Sequence, residues 1–426
     1  MIHPHVIAPE DQLGKPKLFD YNLEALRGVA AIVVVWFHIV YVPRALDPGY
    51  TPTGVWAFDP PGHLSVLVFF VLSGYVIGLS HANPITRNTI GSYLKKRLVR
   101  IYPIYALAIL LAVITASAEY SNWTILSHFT MTHALTSPVI VENAPAWSLH
   151  YEMLYYLLFI PISYFRVNPV VMAISCFIIG TANFYLHSRF GTPPILSAYA
   201  FGFTFWLSGL VLSLYKPAPA AAAFPVMVSM IFLLLSLEKF DVLSTVLSKL
   251  SLRIVGTELT FPASVPWYQR TVTFHDFAFL PYCLIAIMVF SSKDFKFKKS
   301  LVFLLLFVPA ATFYSYYKHY SEQDNSLLVA PITFYIIALI IYLFSGRLNL
   351  VSERLIKLII PTGGISYGLY IIHYPILFTF KQVPFFSGTS ATFSIRLIIY
   401  LAVCVVAAWF LEKMFQPWIK KRLSLN

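Results

Sequence analysis

Residues 25–38 read ALRGVAAIVVVWFH, an apolar run with an arginine near its start and a histidine at its end. Arg27 and His38 are eleven positions apart, which is three helical turns with about 20° left over, so both side chains face the same side of a helix. The rise between them is roughly 16 Å along the helix axis. This stretch predicts a membrane helix with a cation at one membrane surface and an imidazole deeper inside.

The composition is typical of an integral membrane protein. The chain is 58% hydrophobic and only 11% charged, with a mean hydropathy of +0.73, whereas soluble proteins contain about a quarter charged residues. A polytopic protein in a lipid bilayer is therefore expected. The net charge of +12 does not indicate nucleic acid as a partner, because no soluble segment carries a basic stripe interleaved with aromatics. Residues 1–20 are polar, so no signal peptide is expected before the first span.

Hydropathy predicts an all-α protein, a single bundle of about 10–12 transmembrane helices. We expect a cytoplasmic segment over residues 1–20, one integral membrane domain over 21–418 and a basic cytoplasmic tail over 419–426. The apolar stretches of spanning length are 28–46, 64–81, 101–118, 148–165, 169–187, 197–215, 219–237, 276–291, 300–317, 327–345, 358–380 and 396–415. Two of them are weak candidates, since 276–291 is short and 358–380 is interrupted by proline and glycine.

The placement of lysine and arginine predicts the orientation of the bundle. With the N-terminus inside, the inner segments hold 21 of the 30 basic residues, including those around 95–100, 293–299 and 413–422. Both termini are therefore expected in the cytoplasm. Arg27 then opens toward the cytoplasm, and His38 lies in the outer half of the first span.

Ionisable residues inside apolar spans are costly and are functional candidates by default. Three such residues are His38, Glu152 and His373, and a fourth, Glu412, stands near the inner end of the last span. Glu152 enters the membrane from the outer side, at the expected depth of His38. We therefore expect Glu152 to orient the imidazole of His38 or to stabilise its cationic form. A purely structural pairing of Glu152 is the alternative.

A basic cluster precedes the third span. Arg97 and Arg100 are spaced i, i+3, so they share a helix face and can bind one phosphate group together. Planar guanidinium groups suit phosphate better than ammonium groups do. Attraction to anionic lipid and the positive-inside rule are the alternative explanation.

Two further motifs are compatible with either packing or function. Ser73 and Gly74 form a small step in the second span that lets helices approach closely. Tyr367, Tyr370 and His373 recur at helical spacing and form a polar-aromatic stripe.

Familiar cofactor motifs are missing from the chain. It contains no HExxH pair and no Walker loop. Cys176, Cys283 and Cys404 stand singly in apolar runs and predict buried hydrophobes rather than disulfides or metal ligands. We expect no metal and no permanently bound cofactor.

The motifs together resemble the acyltransferase-3 family of membrane acyltransferases. The resemblance runs through residues 22–28 (NLEALRG) with His38, 69–74 (FFVLSG), 96–103 (KRLVRIYP), 147–149 (WSL) with Glu152, Ser366 and Tyr367 with Tyr370 and His373, and Glu412 with Pro417. The motifs occur in family order and cover nearly the whole chain. The family's usual ten spans differ from the twelve drawn above.

The resemblance implies O-acyl transfer, usually of acetyl from acetyl-CoA, to a carbohydrate, a glycolipid or another envelope hydroxyl at the inner (plasma) membrane. It implies that His38 is the catalytic base, with Glu152 beside it; transient acylation of His38 is left open. Acyl-CoA is then a donor substrate. The residues expected to bind it are Arg27, Arg97, Arg100, Ser73, Gly74, Tyr102 and Tyr105. Those expected to bind either substrate are Trp147, Ser148, Tyr367, Tyr370 and His373.

A proton-coupled secondary transporter is the alternative from another class. It would also have about twelve spans, broken helices and intramembrane histidine and glutamate. The chain has no two similar halves, which argues against this alternative.

Overall fold

The protein is an all-α, multi-pass membrane protein, as the sequence predicts. The computed structural model describes residues 21–190, 195–240, 242–256, 260–261, 265–312 and 328–423; the predicted segment 1–20 and residues 424–426 of the predicted tail lie outside these ranges. The helices are α1 (Tyr21–Tyr41), α2 (Gly62–Ser80), α3 (Arg87–Ile114), α4 (Asn122–Phe129), α5 (Trp147–Tyr164), α6 (Pro169–Phe190), α7 (Ile195–Leu214), α8 (Phe224–Phe240), α9 (Val242–Val255), α10 (Leu280–Phe290), α11 (Lys298–Phe307), α12 (Val329–Leu343), α13 (Asn349–Gly363), α14 (Ser366–Lys381), α15 (Ser390–Phe410) and α16 (Gln416–Arg422).

Every one of the twelve predicted spans contains a helix. In the described residues, six helices are long and apolar enough to cross a bilayer: α1, α2, α3, α6, α7 and the continuous stretch Ser390–Arg422. The pair α13 and α14 forms a seventh candidate, and α8, α10 and α12 are shorter apolar helices. The two remaining predicted spans contain α5 and α11. Residues 313–317 of the predicted span 300–317 lie outside the described residues.

The structure refines the predicted helices in three places. The interruption expected in the span 358–380 is confirmed, since α13 and α14 meet there at an angle of 70°. At this break the backbone of Gly363 packs against α1, where an added Cβ would lie 2.2 Å from the carbonyl oxygen of Glu24. Helix α3 begins at Arg87, well before the predicted residue 101, because Thr86 and Thr89 form a capping box there. The segment between the predicted spans 219–237 and 276–291 contains the helix α9, which was not among the predicted spans.

Helices α2 and α7 cross in direct backbone contact. A Cβ added to Gly74 would lie 1.8 Å from the carbonyl oxygen of Trp206, and one added to Gly209 would lie 1.8 Å from that of Val71. Reciprocal glycines of this kind allow two membrane helices to approach closely. The structure therefore gives Gly74 a packing contact with α7, and the donor contact expected from the resemblance stays a prediction.

We expect Gly74→Ala to destabilise the protein by about 1–3 kcal/mol, because the new methyl group overlaps the α7 backbone and the helices must separate. The measurement is the thermal unfolding midpoint of purified protein in detergent. The matched control is Gly91→Ala in α3, where an added Cβ meets nothing within 4 Å. Equal midpoints for the two variants would contradict the close crossing.

Candidate active site

A cavity of about 310 Å³ lies between α1, α2, α3, α5 and α14. Arg97 packs on Tyr156 and Arg100 packs on Tyr367. Ser148 lies two helical turns from Tyr156 on α5, and its partner Tyr370 lies about one turn from Tyr367 on α14. We call the part of the cavity lined by Arg27, Arg97 and Arg100 the arginine end, and the part lined by Ser148 and Tyr370 the tyrosine end. The lining residues are Arg27, Val66, Phe69, Phe70, Leu72, Ser73, Val76, Ile77, Arg97, Arg100, Ile101, Ser148, Leu149, Glu152, Tyr156, Ser366, Tyr367 and Tyr370. The cavity is cationic at one end and mainly apolar and aromatic along its walls.

The three arginines differ in their partners. Arg27 pairs with Glu24 one turn before it in α1. Arg100 pairs with the buried Glu412 at 2.6 Å. Arg97 makes no ion pair or hydrogen bond within the described part of the chain, and its Nε is buried without a partner. An anionic ligand at this end therefore competes with a carboxylate for Arg27 and for Arg100. Arg97 is available to it without such competition from the described residues.

Three tyrosine rings hold two of the guanidinium groups in place. The Arg97 guanidinium carbon lies 5.6 Å from the ring centres of both Tyr93 and Tyr156. The guanidinium carbon of Arg100 lies 5.6 Å from the ring centre of Tyr367. Cation–π contacts of this kind orient a guanidinium group without neutralising its charge. The charge of Arg97, which has no carboxylate partner in the described part of the chain, therefore remains available to a ligand.

The turn of α3 that carries Arg97 and Arg100 is shaped by Pro103. Proline has no N–H, so the carbonyl of Val99 loses its helical partner. The side-chain amide of Gln416 donates to the carbonyl oxygens of Val99 at 2.8 Å and Arg100 at 3.0 Å. The C-terminal helix α16 therefore completes the hydrogen bonding of the arginine turn.

The middle of the cavity contains a hydrogen-bond network around Glu152. Its Oε1 accepts from the hydroxyls of Ser73 at 2.8 Å and Tyr156 at 2.5 Å. The indole N–H of Trp206 donates to the Ser73 hydroxyl at 3.3 Å. These contacts hold the Glu152 side chain on the cavity wall.

The tyrosine end is closed by Tyr370. Its hydroxyl lies 2.7 Å from the hydroxyl of Ser148 and 3.1 Å from the carbonyl oxygen of Pro145. Its ring packs against Phe69 at 5.7 Å and against His373 at 6.3 Å between ring centres. Tyr370 therefore lines the cavity on one side and contacts His373 on the other.

His38 and His373 form a hydrogen-bonded pair next to the tyrosine end. Nδ1 of His38 lies 3.0 Å from Nε2 of His373. Nδ1 of His373 lies 3.1 Å from the carbonyl oxygen of Leu369, which can only accept a hydrogen bond, so Nδ1 carries the proton in the neutral ring. Nε2 of His373 then accepts from Nδ1–H of His38. The Nε2 atom of His38 is therefore left with a free lone pair.

The expected contact between Glu152 and His38 is not formed. Within the described residues Glu152 bonds to Ser73 and Tyr156, whereas His38 bonds to His373. The reason is the packing of α14, which inserts Tyr370 and His373 beside α1. The ring orientation that the sequence assigned to Glu152 is supplied by His373.

Four other predicted site residues lie outside the cavity lining. Gly74 packs on α7, as described above. Tyr105 is buried, and its hydroxyl donates to the carbonyl of His128 at 2.8 Å, whereas Tyr102 is exposed. Trp147 is buried and packs against Phe70, with ring centres 6.1 Å apart.

A histidine–aspartate pair beside Trp147 was not predicted. Nε2 of His63 lies 3.1 Å from Oδ2 of Asp276, and the His63 ring stacks with Trp147 at 6.5 Å. Asp276 also accepts from the backbone N–H of Thr273 at 2.7 Å. One signal was available in the sequence, since His63 and Asp276 both stand at the outer start of a predicted span.

The segment before Trp147 is held by a buried, neutral histidine. Nε2 of His128 accepts from the backbone N–H of Ile140 at 3.0 Å, and its Nδ1 donates to the carbonyl of Thr124 at 2.7 Å. Burial lowers the pKa of His128 to about 4, because desolvation disfavours the charged ring. His133 stacks on it at 4.2 Å. In the described ranges no group of three or more histidine, cysteine or acidic residues is arranged to hold a metal ion.

These features define a multi-pass membrane protein with an elongated small-molecule cavity and a histidine pair beside it. A family model described as an acyltransferase domain matches residues 20–413, so the chain belongs to the acyltransferase-3 family. The protein is therefore a multi-pass membrane protein with an acyltransferase domain. Family membership favours this class over the transporter considered above.

Two relatives are similar to parts of the chain. Acyltransferase MdmB of Streptomyces mycarofaciens is 29% identical over 160 residues, which are 35% of this chain and 40% of the relative. Protein 2 in picA locus of Rhizobium radiobacter is 34% identical over 91 residues, which are 21% of this chain and 41% of the relative. The matches span about two fifths of each relative's length. No solved structure gives a significant match.

Proposed function

We propose that the protein transfers an acyl group, most simply acetyl, from acyl-CoA to a hydroxyl of an envelope carbohydrate or glycolipid. The observation that carries this proposal is one cavity with three arginines at one end and a histidine pair next to the other. Coenzyme A has the matching polarity, with phosphates at one end of a long arm and a thioester at the other. The shape and charge of the cavity therefore suit this donor substrate.

His38 is the general base of the proposed reaction. Its Nε2 takes the proton of the acceptor hydroxyl as the oxygen attacks the thioester carbonyl carbon. The new C–O bond forms, the C–S bond breaks, and the leaving thiolate of coenzyme A takes this proton from His38, which returns the ring to its neutral form. The positive charge on the His38 ring is shared through Nδ1–H with Nε2 of His373. General-base assistance of this kind contributes about 10²–10⁴ in rate.

Tyr370 controls the approach of the thioester in this proposal. It lines the tyrosine end of the cavity, and His38 is not among the lining residues. The acyl end of the donor reaches His38 only when the Tyr370 ring moves aside. The hydroxyl contacts of Tyr370 with Ser148 and Pro145 are the contacts that this movement breaks.

Donor and acceptor enter from opposite sides of the inner (plasma) membrane in this proposal. The placement of lysine and arginine in the sequence puts the arginine end in the cytoplasm. The charged phosphates of coenzyme A do not cross hydrocarbon unpaired. The donor therefore stays on the cytoplasmic side, and the acceptor reaches His38 from the other side.

Sealed vesicles of known orientation test this proposal. We expect release of free thiol from acetyl-CoA, with label appearing in the acceptor, only when acetyl-CoA is supplied at the cytoplasmic face. The orientation is checked with Arg97→Cys, which we expect a membrane-impermeant maleimide to label from the cytoplasmic face. The three native cysteines are buried and provide the unlabelled background.

Two results would contradict the proposal. Equal thiol release with acetyl-CoA at either face would exclude entry from opposite sides. A failure to release thiol from any acyl-CoA, in the presence of an envelope extract that contains the acceptors, would exclude acyl-CoA as the donor.

A further inference from the structure

Within the described part of the chain, one oxygen of the Glu152 carboxyl group has no hydrogen-bond partner. Oε1 accepts from Ser73 and Tyr156, whereas Oε2 has no hydrogen-bond partner within the described ranges. Oε2 is also not among the buried polar atoms without a partner, so it is accessible. Because Glu152 lines the cavity, this free acceptor faces the space that a ligand would fill.

Glu152 stands midway along the cavity. On α5 the lining residues Ser148, Glu152 and Tyr156 follow one helix face at intervals of four, so each step is about 6 Å. Ser148 belongs to the tyrosine end, and Tyr156 packs on Arg97 at the arginine end. The free oxygen therefore lies about one helical turn from each end.

The wall around Glu152 is mainly apolar. Leu72 and Val76 on α2 and Leu149 on α5 line the same part of the cavity. Filling this space with an apolar ligand would leave the Glu152 oxygen buried without a partner, which is unfavourable. The cavity therefore suits a ligand that is anionic at one end and carries an N–H or O–H donor about midway.

We propose that Glu152 accepts a hydrogen bond from the secondary-amide N–H of the donor's pantetheine arm that lies nearer to the sulfur. This inference rests on the proposed function, in which the phosphates lie at the arginines and the thioester at Tyr370. The two amides of the arm lie between those groups, at the level of Glu152. Ser73 and Tyr156 position the carboxyl group through its other oxygen. Glu152 then determines donor specificity. This role also explains why Glu152 contacts the cavity and not the His38–His373 pair.

The test compares three acetyl thioesters on the wild-type protein and on Glu152→Ala. The first is S-acetylpantetheine, the second is N,S-diacetylcysteamine, and the third is an isostere of the second with an ester oxygen in place of the amide N–H. In the wild type we expect the isostere to have a KM about 10–150-fold higher than its amide counterpart, because a hydrogen bond to a carboxylate is lost. In Glu152→Ala we expect the two compounds to have the same KM.

Two further variants serve as controls. Glu152→Gln retains a carbonyl acceptor, so we expect it to recover part of the preference for the amide. Glu119→Gln changes an exposed loop glutamate and is expected to behave as the wild type. If Glu152→Ala fails to fold, the KM values of the amide and the isostere on the wild type still test whether the amide N–H contributes to binding.

The outcomes separate this inference from the proposed function. Equal KM values for amide and isostere on the wild type would overturn the role of Glu152 while leaving acyl transfer intact. The same preference for the amide in wild type and Glu152→Ala would also overturn it. Failure of the wild type to use any thioester, acetyl-CoA included, would refute the proposed function instead.

Discussion

Replacing His38 with alanine is expected to reduce acyl transfer by about 10²–10⁴-fold, the usual contribution of a general base. The physical reason is the free lone pair on Nε2, which exists because Nδ1 is held by His373. The measurement is thiol release from acetyl-CoA by purified, reconstituted protein at saturating donor. Donor affinity is expected to change little, since His38 is not among the residues that line the cavity.

The control for this prediction is His275→Ala. His275 stands in a short turn before α10, outside the cavity and outside the histidine pair, so its loss is expected to leave the rate unchanged. Both variants are compared with the wild type by size-exclusion profile and unfolding midpoint. Substantial transfer by a folded His38→Ala protein would exclude His38 as the base.

Replacing Arg97 with alanine is expected to weaken donor binding by roughly 10–150-fold, which corresponds to about 1.5–3 kcal/mol for one charge-assisted phosphate contact. Arg97 is the arginine to test first, because it has no carboxylate partner in the described part of the protein. Its guanidinium group is held by two tyrosine rings rather than by an opposite charge. The measurement is the dissociation constant of coenzyme A, with kcat at saturation recorded separately.

Lys96→Ala is the matched control, since Lys96 is the neighbouring cation and is exposed. We expect it to leave donor affinity within about twofold, as for most exposed charges. Arg100→Ala is a poorer test, because it also removes the cationic partner of the buried Glu412, which then keeps only the backbone N–H of Gly368. An unchanged dissociation constant in Arg97→Ala would mean that this arginine serves topology only.

The helical segments could be predicted from hydropathy, and the exceptions have local causes. All twelve predicted spans contain a helix, because apolar side chains and internally satisfied backbone groups are both required in lipid. The glycines at 363 and 364 had indicated the break between α13 and α14. Helix α9 was missed because its short amphipathic pattern lies in a segment with no run of spanning length.

Residue types were predicted better than their partners. Arginines, intramembrane histidines and Glu152 stand out because charge in lipid is costly and needs compensation. The sequence also indicated that Glu152 and His38 lie at similar depth. Depth does not determine which helices are neighbours, and α14 supplies His373 as the partner of His38.

The amino-acid sequence alone determined the membrane class, the helical segments and the list of chemically unusual residues, because these depend on composition and on spacing within one helix. Only the tertiary structure decided which of these side chains contact each other. His38 and His373 are 335 positions apart, and Arg100 and Glu412 are 312 apart. Which side chains meet depends on the order, rotation and tilt of packed helices. These follow from contacts summed over the whole bundle, such as the crossing at Gly74, so no local stretch of sequence specifies them.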